Sequence, residues 1–161
     1  MFTRHYPHWP PGVPKSLPIP RTSVSYNLEV SARRYPDKAA MLYYGAPVSY
    51  ARLEREVAAL AGYLQQRCGV GRGDRVLLYL QNSPQFVISY YAVLRADAVV
   101  VPVSPANLGD ELAHYLADSD ARVAIADADI AGRFAGIGLA HLLVAGSARS
   151  EERRVGKECR L

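Results

Sequence analysis

The chain has 161 residues, a length that suits one domain or a piece of a larger one. Half of the residues are hydrophobic and 21% are charged, which excludes wholesale disorder, and no apolar run approaches the roughly 20 residues of a membrane-spanning helix. The formal charge of +4 resides in the two ends, because residues 23–148 carry eleven basic and twelve acidic side chains. The sequence therefore predicts no nucleic-acid-binding surface.

Residues 1–22 predict an extended arm, because six prolines interrupt them and no helical period occurs. The same prolines leave no apolar run for a secretory signal. Tyr6, Trp9 and Ile19 predict that the arm lies along a surface. Two cysteines are too few for a disulfide framework, so we expect a reducing, cytoplasmic location.

A short helix and a hairpin follow the arm. Apolar residues at Leu28, Ala32 and Tyr35 predict a helix from Tyr26, which Pro36 ends. Residues 39–43 then read as a strand, Gly45-Ala46 as a turn, and 47–48 as a return strand.

The clearest amphipathic helix begins after Ser49, whose hydroxyl predicts an N-cap. Its apolar stripe has helical spacing and comprises Leu53, Val57, Leu60, Ala61 and Leu64. Three glycines, at 69, 71 and 73, end this helix and lead into an apolar strand, Arg75 to Leu80. Because these glycines follow a helix rather than a strand, they predict a turn and not a phosphate-binding loop.

The rest of the chain continues the alternation of helix and strand. Ser83-Pro84 opens a helix that is apolar on most sides, and we expect it to be largely buried. The later elements are a strand at 99–103, a helix with an inner stripe of Leu108, Leu112, Tyr115 and Leu116, a strand at 122–126, a short helix at 129–134 and a strand at 141–144. The pattern predicts an α/β fold, a layered and mostly parallel sheet covered by helices.

Few residues outside this pattern suggest chemistry. His5, His8, His114 and His141 lack a metal-ligand spacing, and Cys68 at a helix end favours a packing role. The acids Asp118, Asp120, Asp127 and Asp129 flank one strand and are typical of turns, although four carboxylates there leave a cation site open. Ser104-Pro105 follows a strand end, where α/β sheets bind ligands, and is a weak candidate for a crevice wall.

The C-terminal segment, 149–161, has neither a helical nor an alternating period. Arg149 to Arg160 resembles an in-frame translation of a common sequencing-library adapter. The interpretation is that this tail is artefactual, that Cys159 carries no functional information and that the natural gene continues past Ala148. The alternative is a genuine short basic tail.

From about His5 to Val144 the chain resembles the N-terminal part of the adenylate-forming (AMP-binding) enzymes, above all the long-chain fatty-acid–CoA ligases. Seven stretches in the same order carry the resemblance: the arm from Tyr6 to Pro20, Tyr35 to Ala40, Ser49-Tyr50 leading into Leu53, Gly73 to Val76, Gln81 to Val87, Leu94 to Pro105, and Glu111-Leu112 through Asp118-Ser119. Three positions depart from the family pattern: Asp97 replaces a glycine, Ser104 an asparagine, and Gly109 a helix-capping threonine. Residues 23–148 are thus interpreted as an incomplete AMP-binding domain.

The resemblance implies that the full-length enzyme activates a fatty acid with ATP and Mg²⁺ to an acyl-adenylate and then transfers the acyl group to CoA. The family's phosphate-binding loop does not occur in this chain, so the resemblance assigns no catalytic, cofactor-binding or metal-binding residue here. The fragment alone is expected to be inactive and to hold no cofactor. Peripheral membrane contact is compatible with a fatty-acid substrate.

Two alternatives remain: another acid- or amino-acid-adenylating enzyme of the superfamily, for which the proline-rich arm is unfavourable, and a genuine non-catalytic α/β binding module. A complete domain and a truncated domain should differ in their surfaces. A complete domain should have satisfied sheet edges, whereas a truncated one should leave an apolar face uncovered.

Overall fold

The computed structural model describes residues 3–146, in which helices and strands alternate as the sequence predicts. In chain order the elements are α1 (Val24–Arg34), β1 (Ala39–Tyr43), β2 (Ala46–Ser49), α2 (Tyr50–Arg67), β3 (Arg75–Tyr79), α3 (Pro84–Arg95), β4 (Val99–Pro102), α4 (Gly109–Ser119), β5 (Val123–Asp127) and β6 (His141–Ala145). Two short 3₁₀ helices, Tyr6–His8 and Ala131–Phe134, complete the set of described elements.

Four strands form one parallel sheet in the order β4-β3-β5-β6, and β1 and β2 form a separate antiparallel hairpin. Alternate residues of each central strand serve two cores. Val76 and Leu78 of β3 face a core with α2 and α3, whereas Leu77 and Tyr79 face a second core with α4. The predicted parallel sheet with helices on both faces is confirmed.

Helix α2 has the face that its sequence predicts. All five residues of the apolar stripe are buried, and the opposite face carries exposed charges such as Arg52 and Arg55. The Ser49 hydroxyl accepts a hydrogen bond from the Arg52 amide at 3.3 Å, so the predicted N-cap is present.

Helix α3 is covered along its whole length. Ser83 caps it, accepting from the Phe86 amide at 3.3 Å, and Pro84 is its first residue. Ser89, Ala92 and Val93 are buried, and the other nine residues of the helix are partly buried, so none is exposed. The expectation of a largely buried helix is confirmed, because α1, α2 and the sheet all contact α3.

The first helix and the hairpin depart from prediction at their ends. Helix α1 ends at Arg34, and Tyr35 is exposed rather than part of the buried stripe. The hairpin turn is Tyr44-Gly45 rather than Gly45-Ala46, since both residues have positive φ, 46° and 82°. Two such residues make the tight turn whose twist matches antiparallel strands.

Two later details also differ. Leu108 is the N-cap of α4 and is 62% exposed, so it does not belong to the inner stripe and Gly109 is not the capping residue. Glu111 takes over capping, because its carboxylate accepts from the Leu108 amide at 3.2 Å. The segment predicted as a helix at 129–134 is a turn followed by the four-residue 3₁₀ helix Ala131–Phe134.

The side-chain contacts of Tyr6 and Trp9 lie within the arm itself. The indole N–H of Trp9 donates to the Val13 carbonyl at 3.1 Å, and the Lys15 ammonium lies 4.9 Å from the centre of the Tyr6 ring. Ile19 is 86% exposed, so the expectation that it packs on a surface is wrong. Residues 147–161, including Cys159 and the predicted tail, lie outside the described part. Within residues 3–146 no helix has the length and apolarity needed to cross a bilayer.

Candidate functional site at the carboxyl edge of the sheet

The topology of the sheet marks one place for a ligand. From β3 the chain proceeds to β4 on one side, and from β5 it proceeds to β6 on the other, although β3 and β5 are neighbours. Their outgoing connections therefore diverge at the carboxyl ends of the strands. In open α/β sheets this divergence leaves the crevice where ligands bind.

The backbone after β3 is fixed to the end of β5 at this crevice. The Asp127 carboxylate accepts a hydrogen bond from the Gln81 amide at 2.7 Å. A carboxylate bound to a backbone N–H forms a strong, charge-assisted bond. Asp127 thus orders the loop Gln81–Ser83 that leads into α3.

Tyr79, the last residue of β3, brings a buried hydroxyl to the same edge. Its side chain has no solvent exposure, and its ring packs edge-to-face against Phe134 with centroids 5.6 Å apart. The hydroxyl lies 3.1 Å from the Pro105 carbonyl oxygen and also contacts the Asn107 carbonyl oxygen. The hydroxyl can donate its one proton to only one of these oxygens at a time, and its own oxygen can still accept a hydrogen bond from another donor.

Arg133 supplies that donor. Its Nη1 donates to the Tyr79 hydroxyl at 2.6 Å and to the Pro105 carbonyl at 2.7 Å. The guanidinium carbon also lies 5.9 Å from the centre of the Tyr79 ring. Within residues 3–146 no carboxylate oxygen lies within 4.0 Å of this guanidinium.

The loop between β4 and α4 is held from several sides. Ser104 makes a local turn, with its hydroxyl accepting from the Ala106 amide at 3.3 Å and its carbonyl from the Asn107 amide at 3.0 Å. The Asn107 amide group donates to the Tyr115 hydroxyl at 3.0 Å. The structure therefore places the predicted pair Ser104-Pro105 at the crevice, with the Pro105 carbonyl inside the Tyr79–Arg133 network.

The opposite edge of the sheet is built around Arg75. Its guanidinium donates to the carbonyls of Ser119 and Asp120 at the end of α4, and it pairs with the Asp120 carboxylate at 2.8 Å. A cation at a helix C-terminus satisfies carbonyls that the helix leaves unpaired.

A cavity of about 400 Å³ lies beside Arg75 and is lined by Cys68, the C-cap of α2. Gly69 and Gly73 have φ of 66° and 80°, which confirms the predicted turn.

Two of the four acids around β5 lie at opposite edges of the sheet. Asp120 lies at the amino edge with Arg75 and Asp127 at the carboxyl edge with Gln81, and a five-residue strand separates them by roughly 16 Å. Within the described residues no three His, Cys, Asp or Glu side chains are grouped to hold a metal ion.

The described residues provide no group of carboxylates that would hold Mg²⁺, and no reaction step is assigned to residues 3–146.

The interaction between Tyr79 and Arg133 was not predicted from the sequence. A signal was available for the first, since a tyrosine in an otherwise aliphatic buried strand needs a hydrogen-bond partner. No sequence signal marks Arg133, because its hydrogen-bond partners belong to β3 and to the loop after β4, which are far from it in sequence.

Asp97 marks the turn after α3. Its φ is 62°, in the left-handed region that favours glycine, and its carbonyl accepts from the Gly73 amide at 2.9 Å. This conformation explains why glycine suits the position and why aspartate, which tolerates it better than most residues, can replace it.

Comparison with known proteins confirms the predicted resemblance. Residues 28–156 match the family of AMP-binding enzymes, and the chain belongs to that family. A long-chain-fatty-acid–CoA ligase of Bacillus subtilis strain 168 is 38% identical over 117 residues, covering 73% of this chain and 21% of that protein.

Two further matches agree with this family, one in sequence and one in fold. Triostin synthetase I of Streptomyces triostinicus is 38% identical over 129 residues, covering 76% of this chain and 24% of that protein. The crystal structure of a long-chain-fatty-acid-CoA ligase from Archaeoglobus fulgidus has a TM-score of 0.72 at 24% identity, covering 80% of this chain and 28% of that one. The chain thus spans about a fifth to a quarter of the curated relatives it matches.

Proposed function

We propose that this chain is the N-terminal part of an acyl-CoA synthetase whose full-length form activates a fatty acid. The similarity to the Bacillus subtilis ligase, at 38% identity over 117 residues, is the observation that carries the proposal. The carboxylate attacks the α-phosphorus of ATP and releases pyrophosphate, and the thiol of CoA then displaces AMP from the acyl-adenylate.

The edge of the sheet at β4 supports the view that the domain is incomplete. Val99 of this edge strand is 47% exposed, and Phe86, Ile88, Tyr90 and Tyr91 of the neighbouring α3 pack against the core but keep part of their surface accessible. Apolar patches of this kind mark surfaces that another element covers. We call the full-length protein encoded by the source gene, without the tail, the uninterrupted protein. We assign that cover to the polypeptide that follows residue 148 in this protein, because the relatives are about five times longer than the matched region.

We also propose a domain organisation for the chain. Residues 1–22 form an arm, 23–148 an incomplete AMP-binding domain and 149–161 an artefactual tail. ATP, Mg²⁺, CoA and the fatty acid bind the full-length enzyme, and the 161-residue chain alone holds none of them and is inactive. The described residues are a scaffold to which the remaining segments add the catalytic groups.

A substrate panel tests the proposed activity. The uninterrupted protein is incubated with ATP, Mg²⁺, CoA and one acid at a time, namely palmitate, octanoate, anthranilate or valine, and thioester formation is measured. We expect palmitoyl-CoA to form fastest. Formation of no thioester from either fatty acid would contradict the proposal.

A second candidate is an amino-acid-adenylating enzyme, which the 38% identity to triostin synthetase I favours. Such an enzyme would form an adenylate with valine or another amino acid but would not make a fatty acyl-CoA. Trapping with hydroxylamine distinguishes the two, since it converts any activated acid to a hydroxamate whose identity is read by mass.

We also propose a cytoplasmic protein with peripheral membrane contact through the hairpin tip. Leu42 and Tyr44 are exposed there, Tyr44 by 93%, and tyrosine is favoured at a membrane interface. Sedimentation of the chain with phosphatidylglycerol vesicles tests this contact. Tyr44→Ser should reduce the bound fraction, and equal binding of the two proteins would contradict it.

A further inference from the structure

We propose that Arg133 is an anion-binding residue at the carboxyl edge of the sheet and contacts a phosphate group of ATP or CoA. This inference rests on the proposed function for the identity of its ligand, although the anion site itself can be tested without it. The group contacted is a phosphate oxyanion, which both substrates carry.

The first argument is that the guanidinium of Arg133 is anchored through one nitrogen, Nη1. Nη1 is bound to the Tyr79 hydroxyl and the Pro105 carbonyl, whereas no hydrogen bond from Nη2 or Nε is formed with any residue in 3–146. An arginine has five N–H donors in a planar fork. Two anchoring bonds therefore fix the plane of the group and leave Nη2 and Nε for a bidentate contact with an oxyanion.

The second argument concerns charge. The anchoring partners of Arg133 are a phenol and a carbonyl, both neutral, so its positive charge is not cancelled within 4.0 Å by any described carboxylate. Arg75 and Arg95 are each paired with at least one carboxylate. Of these three restrained arginines, only Arg133 retains its charge for a ligand.

The third argument is position. Arg133 follows β5, Tyr79 ends β3 and Pro105 follows β4, so the group joins three strand ends beside the divergence of β3 and β5. Its side chain is solvent-accessible there. An accessible guanidinium suits a hydrated phosphate better than a fatty carboxylate, whose apolar tail would also need cover.

The experiment uses the complete 161-residue chain, labelled with ¹⁵N, and inorganic pyrophosphate as the probe. We expect the Nε–H signal of Arg133 to shift in a saturable manner, and Arg133→Gln to raise the apparent Kd about tenfold or more. Arg122→Gln is the matched control, since Arg122 is an exposed arginine at the opposite edge of the sheet, and it should change the Kd less than about twofold.

Two results of this titration would overturn the inference. One is an unchanged Kd in Arg133→Gln, which would leave Arg133 a purely structural partner of Tyr79 and Pro105. The other is a wild-type titration in which the Arg133 signal does not move or moves no more than that of Arg122. The second result needs no variant, so it decides the matter even where Arg133→Gln fails to fold.

Kinetics of the uninterrupted protein then distinguish the two sources of phosphate. Arg133→Gln should raise KM for either ATP or CoA about tenfold and leave KM for the fatty acid within about twofold. Unchanged KM for both nucleotides in an active enzyme would overturn the inference and leave the proposed function intact. An uninterrupted protein that makes no acyl-CoA would refute the function, whereas pyrophosphate binding would still decide the anion site.

Discussion

Helices α2 and α3 pack against each other on one face of the sheet, but their sequences and surfaces differ. Helix α2 buries one stripe and exposes charges opposite it, which is the pattern of a surface helix. Helix α3 is apolar nearly all round, and none of its twelve residues is exposed: three are buried and nine are partly buried. A helix that is apolar on all sides is stable when it is buried, and contacts with α1, α2 and the sheet provide that cover.

The largest effect is expected in the buried stripe of α2. Leu60→Ala should lower the free energy of unfolding by about 2–5 kcal/mol, because it removes a fully packed side chain and leaves a cavity. Urea denaturation of the 161-residue chain measures it, with exposed Arg55→Ala as the control. A loss below about 0.5 kcal/mol would show that the wrong face was assigned.

The corresponding change on α3 should cost less. Ile88 is partly buried, so Ile88→Ala removes less buried apolar surface than Leu60→Ala and should cost about 1–3 kcal/mol in the 161-residue chain. The same denaturation assay compares it with Leu60→Ala. Equal losses at the two positions would mean that Ile88 is packed as fully as Leu60.

The N-caps provide a matched pair in which the helices should behave alike. Ser49 and Ser83 each accept from the amide three residues later, both at 3.3 Å. Ser49→Ala and Ser83→Ala should each cost about 1 kcal/mol, since each leaves a helix N–H without its acceptor. A cost several times larger at Ser83 would locate the difference between the helices in their termini rather than in their cover.

The smallest effect should be a gain in stability after α3. Asp97→Gly relieves a left-handed residue and should raise the free energy of unfolding by about 0.5–1 kcal/mol, despite the loss of an exposed pair with Arg72. Asp97→Ala, which keeps the conformational strain, should instead be destabilising. Thermal unfolding of both variants checks the sign, and stabilisation by alanine would refute the backbone argument.

The sequence predicted the elements well because their signals are local. The stripe of α2, the caps at Ser49 and Ser83 and the apolar β3 each depend on neighbours a few residues away. The cover of α3 was predicted from its apolar composition, although the elements that supply it, α1, α2 and the sheet, are known only from the tertiary fold. Tyr79 and Arg133 meet only after β3 and β5 pair, so their network belongs to the tertiary fold.

The most direct test of the account compares the purified 161-residue chain with the uninterrupted protein encoded by the source gene. Both are given ATP, Mg²⁺ and palmitate, and the release of pyrophosphate is measured. The account predicts release by the uninterrupted protein and none above background by the 161-residue chain. Release by the 161-residue chain itself would contradict the claim that it is an incomplete acyl-activating domain.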